Sequence, residues 1–387
     1  MTVWQFPAPR AARAILVSLL GAGTVAAAMP AEARSVETIY RFRGSDGAAP
    51  VGALIEGSDG MLYGTTSRGG PANRGTVFRL APDGTATLLL DFSDPSVGGF
   101  PRAGLYRDAR GNLFGTSFGD DHAGTVFEIP ADGSGARALY TFKRNGRAGY
   151  WPSSQLTGDA HGNLYGTTNI AAFKLKPDGK LKILHVFGRT QGDGESPVSG
   201  VILDADGNLY GTTYRGGANN VGTVYRIGHD GSYAILHDFG AVDDGIEPWG
   251  GLARDALGNL YGTTIAGGGN GVGTIFRLAP DGGLTMLHSF TGQDGADAMS
   301  SPVLDRHGNV IVAASTGGIV NCGAVIEVHK DGTSKVLHGF TTVGHRLRAG
   351  CQPVGGVMLG SDGALYGTTN EGGRRTSELG TVYRLQH

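Results

Sequence analysis

The chain has 387 residues, of which 32 are Lys or Arg and 34 are Asp or Glu, so its formal net charge is −2. The two signs are interspersed, and without a basic stripe or block we expect no nucleic acid as a main partner. Glycine is frequent, at 69 residues, but it occupies fixed places in a repeat, which indicates turns rather than a low-complexity chain.

Residues 1–33 have the pattern of a signal peptide. Arg10 and Arg13 precede an apolar stretch of 16 residues, and Ala31-Glu32-Ala33 fits a small-x-small cleavage site. An uncleaved anchor is the alternative, although a membrane span needs roughly 20 apolar residues. We therefore expect a secreted or periplasmic protein, residues 34–387, that has no membrane span after signal cleavage and is a monomer.

A motif reading G-N-L-Y-G-T-T then recurs seven times. Its aromatic position recurs at steps of 51, 51, 45, 51, 50 and 55 residues, at Tyr63, Phe114, Tyr165, Tyr210, Tyr261, Ile311 and Tyr366. A period of this length is typical of solenoids, propellers and arrays.

Each repeat contains four short runs rich in β-branched and aromatic residues. In the fourth copy they cover residues 198–203, 208–213, 222–227 and 233–239. Tight Gly-containing turns join the first run to the second and the third to the fourth, whereas the other two connections are longer. Four antiparallel strands per repeat predict a propeller blade. Both longer connections then lie on one face of the disk, which we call the loop face.

The last repeat lacks its fourth run, and residues 36–42 at the other end of the chain supply one. We therefore predict an all-β, seven-bladed β-propeller over residues 34–387, with the N-terminal strand completing blade seven. A β-solenoid or two smaller units are the alternatives, but the ends of a solenoid need caps instead of a shared repeat.

The phrase G-N-L-Y-G-T-T…G-T-V-F-R-L-x-P-D-G…L-H-x-F resembles the Gloeobacter/Verrucomicrobia-type tandem repeat of exported bacterial proteins, over about residues 36–385. That family is largely uncharacterised, so the resemblance implies no catalytic residue. The third copy departs from the pattern because it lacks G-G…G-T, and the sixth because it reads Asn309-Val310-Ile311-Val312-Ala313-Ala314.

The third copy also has the shortest connection on the loop face. Its second-strand and third-strand aromatics are 8 residues apart, against 15 in four other copies. This shortening predicts a notch over blade three. Near it we expect Arg147, Tyr150 and Trp151, and we place Trp249 at the position equivalent to Trp151 two blades on, beside Glu247.

These five residues are the candidate ligand-binding set. Aromatic faces stack on sugar rings and Arg pairs with carboxylates, so an extracellular polysaccharide or an envelope protein is the expected partner. Ordinary loop packing is the alternative interpretation.

A carbohydrate-active enzyme, either a polysaccharide lyase or a glycosidase, is the alternative function. His122 or Tyr150 would be the base, Asp120 or Asp121 the acid, and Arg147 the group that neutralises a carboxylate. The sequence has no H-E-x-x-H or P-loop motif that would support it.

Cofactors are not expected, although calcium stays open at the loop-face residues Asp193, Asp243, Asp244 and Asp294. The turn at Asp204 resembles the start of a calcium loop but lacks its remaining ligands. The fourth-strand histidines, one per blade, are expected to be structural rather than ligands of one metal ion. Cys322 and Cys351 are expected to form a disulfide in an exported protein.

Overall fold

The computed structural model describes residues 36–119, 123–241, 243–341, 350–374 and 377–387. All regular elements in these ranges are β-strands, and most of them form seven four-stranded antiparallel sheets. The signal peptide predicted for residues 1–33 lies outside the described residues.

Blades one to three contain β2 (Ile55–Glu56), β3 (Leu62–Thr66), β4 (Thr76–Leu80) and β5 (Ala86–Asp91); β6 (Tyr106–Arg107), β7 (Leu113–Ser117), β8 (Thr125–Ile129) and β9 (Arg137–Thr141); and β10 (Thr157–Gly158), β11 (Leu164–Thr167), β12 (Ala171–Leu175) and β13 (Leu181–Val186). Blades four to six contain β15 (Ile202–Leu203), β16 (Leu209–Thr213), β18 (Thr223–Ile227) and β19 (Tyr233–Asp238); β20 (Ala253–Arg254), β21 (Leu260–Thr264), β22 (Thr274–Leu278) and β23 (Leu284–Ser289); and β24 (Val303–Leu304), β25 (Val310–Ala314), β26 (Ala324–Val328) and β27 (Ser334–Gly339). Blade seven contains β28 (Val357–Leu359), β29 (Leu365–Thr369), β32 (Thr381–Leu385) and β1 (Val36–Arg41), and two small ribbons pair β14 (Gly194–Glu195) with β17 (Arg215–Gly216) and β30 (Gly373–Arg374) with β31 (Ser377–Glu378).

Blade seven is assembled from both ends of the chain. β1 pairs antiparallel with β32, so that Val36 faces Leu385 and Arg41 faces Thr381. Phe42, directly after β1, still donates its N–H to the Gly380 carbonyl at 3.2 Å. The predicted seven-bladed propeller closed by the N-terminal strand is therefore confirmed, and the closure covers the outer edge of β32.

The first strand of each blade is shorter than predicted. In blade four only Ile202 and Leu203 pair with β16, whereas the pattern suggested a strand from residue 198. Residues before Ile202 pack against the neighbouring link instead: a Cβ on Gly200 would lie 2.7 Å from the Gln155 carbonyl oxygen. Glycine is required at this place because backbones of adjacent blades meet near the centre of the ring.

The aromatic residue of the motif packs between blades. Tyr63 shares a buried cluster with Leu105 and Phe127 of blade two. The glycine after it, Gly64, faces Phe78 across the β3–β4 pair, and a Cβ there would lie 2.6 Å from the Phe78 ring. The Tyr-Gly pair thus fills one gap between blades and leaves room for the third-strand aromatic.

The two threonines of the motif bond in different directions. Thr65 donates its hydroxyl to the Ala103 carbonyl in the link to the next blade at 2.8 Å, whereas Thr66 lies 2.8 Å from the Thr76 hydroxyl of its own blade. Bonds of the first kind recur from Thr116, Thr167, Thr212, Thr263 and Thr368. The recurrent motif is therefore explained by contacts within and between blades.

Candidate functional site

Every link into a blade holds one non-glycine residue in the left-handed conformation. Its φ lies between 51° and 60° in all seven copies, at Ala49, Phe100, Trp151, Ser196, Glu247, Asp297 and Gln352. Such a conformation costs on the order of 1–3 kcal/mol and persists only where the surroundings hold it. The backbone is constant here but the side chain differs in every copy, which is typical of a scaffold that displays variable groups.

This equivalence corrects the alignment of the two loop-face tryptophans. Trp151 and Glu247 both have positive φ, and each donates its N–H at 2.8 Å to the preceding blade's loop. Trp249 lies two residues further along and corresponds to Ser153. The expected equivalence of Trp249 with Trp151 was therefore wrong, because Pro152 and Pro248 set the register of the links, not the aromatic residues.

Trp151 forms the centre of an aromatic platform on the loop face. Its ring stacks on Phe118 of blade two, with centroids 4.8 Å apart and an interplanar angle of 14°. Tyr150 meets Trp151 edge-on at 4.6 Å, and the Arg102 guanidinium lies over the Phe118 ring at 4.4 Å from its centroid. Three loops therefore contribute to one partly exposed layer, which we call the Trp151 platform: Arg102, Phe118, Tyr150 and Trp151.

The shortened connection of blade three lies beside this platform. Only residues 168–170 join β11 to β12. Asn169 in this turn accepts the Tyr150 N–H on its side-chain oxygen at 2.9 Å, and its own N–H donates to the Tyr150 carbonyl at 3.2 Å. The short turn thus fixes the backbone that carries Tyr150.

Basic side chains surround the platform. Burial lowers the pKa of Arg102, and the nearby positive charge of Arg68 acts in the same direction. Arg68 is exposed on the loop of blade one, and Arg147 is exposed on the link into blade three. This part of the loop face therefore favours an anionic ligand.

The second tryptophan belongs to a separate contact between blades four and five. Trp249 meets Tyr214 edge-on at 5.1 Å, and Arg215 lies 5.4 Å from the centre of the Tyr214 ring. Burial, followed by the neighbouring Glu247 carboxylate, raises the pKa of Tyr214. Because Tyr214 is buried, this pair offers less accessible ring surface than the Trp151 platform.

The loop-face carboxylates considered for calcium have histidine partners. Asp193, Asp244 and Asp294 lie 3.0–3.1 Å from the Nε2 atoms of the fourth-strand residues His185, His237 and His288, respectively. Each pair joins a fourth strand to the link that follows it. Asp243 is exposed beside Asp244.

The turn at Asp204 is a hydrogen-bonded turn. Its carboxylate accepts the N–H groups of Asp206 and Asn208, the Asn208 amide and the Tyr210 hydroxyl, at 2.8–3.0 Å. Burial raises the pKa of Asp204, but these hydrogen bonds outweigh burial and leave it below the usual value. The resemblance to a calcium loop is thus accounted for by the turn itself.

Cys322 and Cys351 form a disulfide, with their Cα atoms 4.6 Å apart. The bridge joins the loop of blade six to the link into blade seven.

Of the candidate catalytic residues, Asp120, Asp121 and His122 lie outside the described residues. Arg147 and Tyr150 lie on the link beside the platform.

The opposite face holds a cleft that the sequence analysis missed. It has a volume of about 580 Å³ and lies between blades two and three, with Tyr106, Phe114, Arg137 and His161 among its walls. The equivalent of Gly158 is an arginine in blades two and five, and both arginines cover the preceding blade's tyrosine. In blade three the residue is Gly158, and the Tyr106 ring occupies the space that a side chain would need. A Cβ on Gly158 would lie 2.5 Å from this ring. The glycine at this position was the feature of the sequence that could have indicated the cleft.

Within the part of the chain that the structure describes, we find no helix with the length and apolar character of a membrane span.

Comparison with known structures supports the fold. A streptogramin B lyase superposes with a TM-score of 0.63 at 15% identity, covering 92% of this chain and 99% of the lyase. A catalytically inactive variant of virginiamycin B lyase from Staphylococcus aureus, with quinupristin, gives 0.61 at 12% identity, covering 91% and 99%. The extracellular domain of the putative hybrid two-component system BT4673 from B. thetaiotaomicron gives 0.60 at 11%, covering 90% of this chain and 39% of that one. At these identities the likeness extends to the fold alone.

Among curated proteins, none matches this sequence. The sequence model of the Gloeobacter/Verrucomicrobia repeat, however, matches residues 18–172 and 168–383. Together the two matches span the repeats from the first strand to the last, and the chain therefore belongs to the Gloeobacter/Verrucomicrobia repeat family.

Proposed function

We propose that this protein is an exported binding module that holds an acidic polysaccharide on the Trp151 platform. The supporting observation is the stacked layer of Arg102, Phe118 and Trp151, which presents ring surface and positive charge in one place. Sugar rings pack on aromatic faces, and guanidinium groups pair with uronate carboxylates in bidentate fashion. Export rests on the signal-peptide pattern of residues 1–33.

The strained backbone adds to this proposal. Trp151 is held with a φ of 55° by its bond to Ala123 and by the tight packing of its link. A ring fixed in this way loses little conformational freedom when a ligand binds. The short β11–β12 turn beside the platform is expected to leave room there for an extended chain.

The test is a binding screen of the mature protein against polygalacturonate, alginate and neutral glucans by affinity electrophoresis and calorimetry. We expect binding to an acidic polymer, with the affinity of Trp151→Ala reduced at least tenfold. Trp249→Ala is the matched control, since it removes a loop-face tryptophan from another pair of blades. Equal loss in both variants, or binding unchanged in Trp151→Ala, would refute the assignment.

A lyase or glycosidase at the same place is the second candidate. The described residues provide it with a cation, Arg147, and one candidate base, Tyr150. The other candidate base, His122, and the candidate acids, Asp120 and Asp121, lie outside the described residues. The same screen tests this candidate if unsaturated and reducing ends are measured after incubation. Product formation that disappears in His122→Ala and Arg147→Ala would favour the enzyme over the binding module.

A further inference from the structure

Blades two and six depart from the repeat on the face opposite the loop face, and blade six does so without a compensating cation. In every copy the residue at the aromatic position of the motif pairs with one third-strand residue across the sheet. In five copies this third-strand residue is basic: Arg79, Lys174, Arg226, Arg277 and Arg384. In blade six the pair is Ile311 and Glu327. The charge at this position is therefore reversed.

The neighbouring aspartate shows why this reversal matters. In blade seven Arg384 lies 2.8 Å from the turn carboxylate of Asp362, and in blade three Lys174 lies 3.8 Å from that of Asp159. The motif tyrosine adds a second donor, as Tyr366 does to Asp362 at 3.0 Å. In blades three and seven the turn aspartate thus receives both a cation and a tyrosine hydroxyl.

Blade six has neither of these donors. Asp305 is the turn aspartate, Ile311 offers no hydroxyl, and Glu327 brings a second carboxylate where the cation would lie. Asp305 and Glu327 are 9% and 7% exposed. Two buried carboxylates of like charge need a positive partner to offset the loss of hydration.

His387 completes the group. Its Nε2 atom lies 3.5 Å from Glu327 Oε1, and the side chain is 16% exposed. One donor atom from each of Asp305, Glu327 and His387 lies within 4.8 Å of the others, and this is the one such group of three within the described ranges. Zinc binds nitrogen and carboxylate oxygen at about 2.0–2.2 Å, so side-chain rotation must bring these three donors closer together to reach a common ion.

Asn309 orients the two carboxylates. Its amide nitrogen donates to Asp305 Oδ2 at 2.9 Å and to Glu327 Oε1 at 3.2 Å. An outer amide that holds ligating carboxylates in place is a usual part of a metal site. We propose that Asp305, Glu327 and His387 bind a divalent transition-metal ion, a donor set of imidazole and carboxylates that suits zinc.

Blade two provides an internal control for this proposal. Its third-strand residue is also a glutamate, Glu128, but Arg137 of the next strand lies 2.7 Å from its carboxylate. In blade six the residue at the Arg137 position is Lys335, which is exposed. Glu128 therefore already has a cation, and a change there should leave metal binding intact.

The experiment uses tag-free protein stripped with a chelator and titrated with Zn²⁺ by calorimetry, with Co²⁺ absorption as a second readout of imidazole coordination. We expect one equivalent bound, and an affinity reduced at least 100-fold in Glu327→Gln and His387→Gln. Glu128→Gln should bind as the unmodified protein does.

Glu327→Arg separates metal binding from folding. This substitution gives blade six the arginine found at this position in blades one, four, five and seven. The arginine should pair with Asp305, so we expect an unchanged or raised melting temperature together with loss of Zn²⁺ binding. The proposal is overturned if the unmodified protein binds neither Zn²⁺ nor Co²⁺, which would leave a protonated His387 as the partner of both carboxylates. It is equally overturned if Glu327→Arg retains the site.

Discussion

Phe42→Ala tests ring closure at a single side chain. Phe42 is 1% exposed, and its ring meets Phe78 of blade one edge-on with centroids 5.1 Å apart. The same buried cluster includes Leu54 of blade one and Val382 of blade seven. Phe42 therefore joins the first and last blades, and its loss should weaken the closure directly.

The expected cost follows from this burial. Truncating a fully buried phenylalanine to alanine costs about 3–5 kcal/mol, from the lost transfer free energy and the cavity that remains. Phe239 is the matched control, because it occupies the same repeat position between blades four and five. It is 0% exposed and meets Phe276 at 5.3 Å. We therefore expect Phe239→Ala to cost the same amount.

The assay is equilibrium denaturation followed by far-ultraviolet circular dichroism. The two variants are compared provided that the free energy of unfolding depends on denaturant concentration with the same slope in both. Both transitions should move to lower denaturant by similar amounts. A cost below about 1 kcal/mol for Phe42→Ala beside the full cost for Phe239→Ala would falsify closure through the N-terminal strand, because the first strand would then be undocked in solution.

Three further outcomes are expected. Reducing the Cys322–Cys351 bridge, which closes a separation of 29 residues, should lower the free energy of unfolding by about 3–4 kcal/mol, and an unchanged midpoint under reductant would contradict this. Gly262→Ala, whose Cβ would lie 2.4 Å from the Phe276 ring, should cost about 1–3 kcal/mol by overpacking, measured by thermal denaturation. The pKa of Asp204 is lowered in the folded state, so its contribution to stability is complete above the unfolded value of about 3.9 and is lost as the pH falls through the folded value. Asp204→Asn should therefore flatten the acid limb of the stability profile, and an identical limb would refute this.

The scaffold could be predicted from the sequence because its rules are local and recur in every copy. Asp-Gly turns define the hairpins, and the alternation of short and long connections defines one blade. The absence of a fourth strand after Leu385, together with the orphan strand at Val36, indicates the closure. Each of these signals depends on residues close together in the chain or on comparison between copies.

The candidate sites could be predicted only in part. The short connection after Tyr165 and the aromatic link at Trp151 were visible as departures from the repeat. The partner of Trp151 was not, because Phe118 belongs to a different blade. The alignment of Trp249 with Trp151 failed because the register of the links is set by the residue before each proline, Trp151 or Glu247, which bonds to the preceding blade.

By itself, the sequence determined the number of blades, the four-stranded topology and the strand that closes the ring. The tertiary structure alone decided which side chains meet across blade boundaries or across one blade: Arg102 with Phe118, Tyr106 with Gly158, and Asp305 with Glu327 and His387. The physical reason is that strand pairing is encoded by alternation and turns within one repeat. Contacts between side chains of different strands and blades depend instead on how neighbouring sheets pack. A glutamate in place of the usual basic residue therefore forms a cluster with side chains that only the fold brings near it.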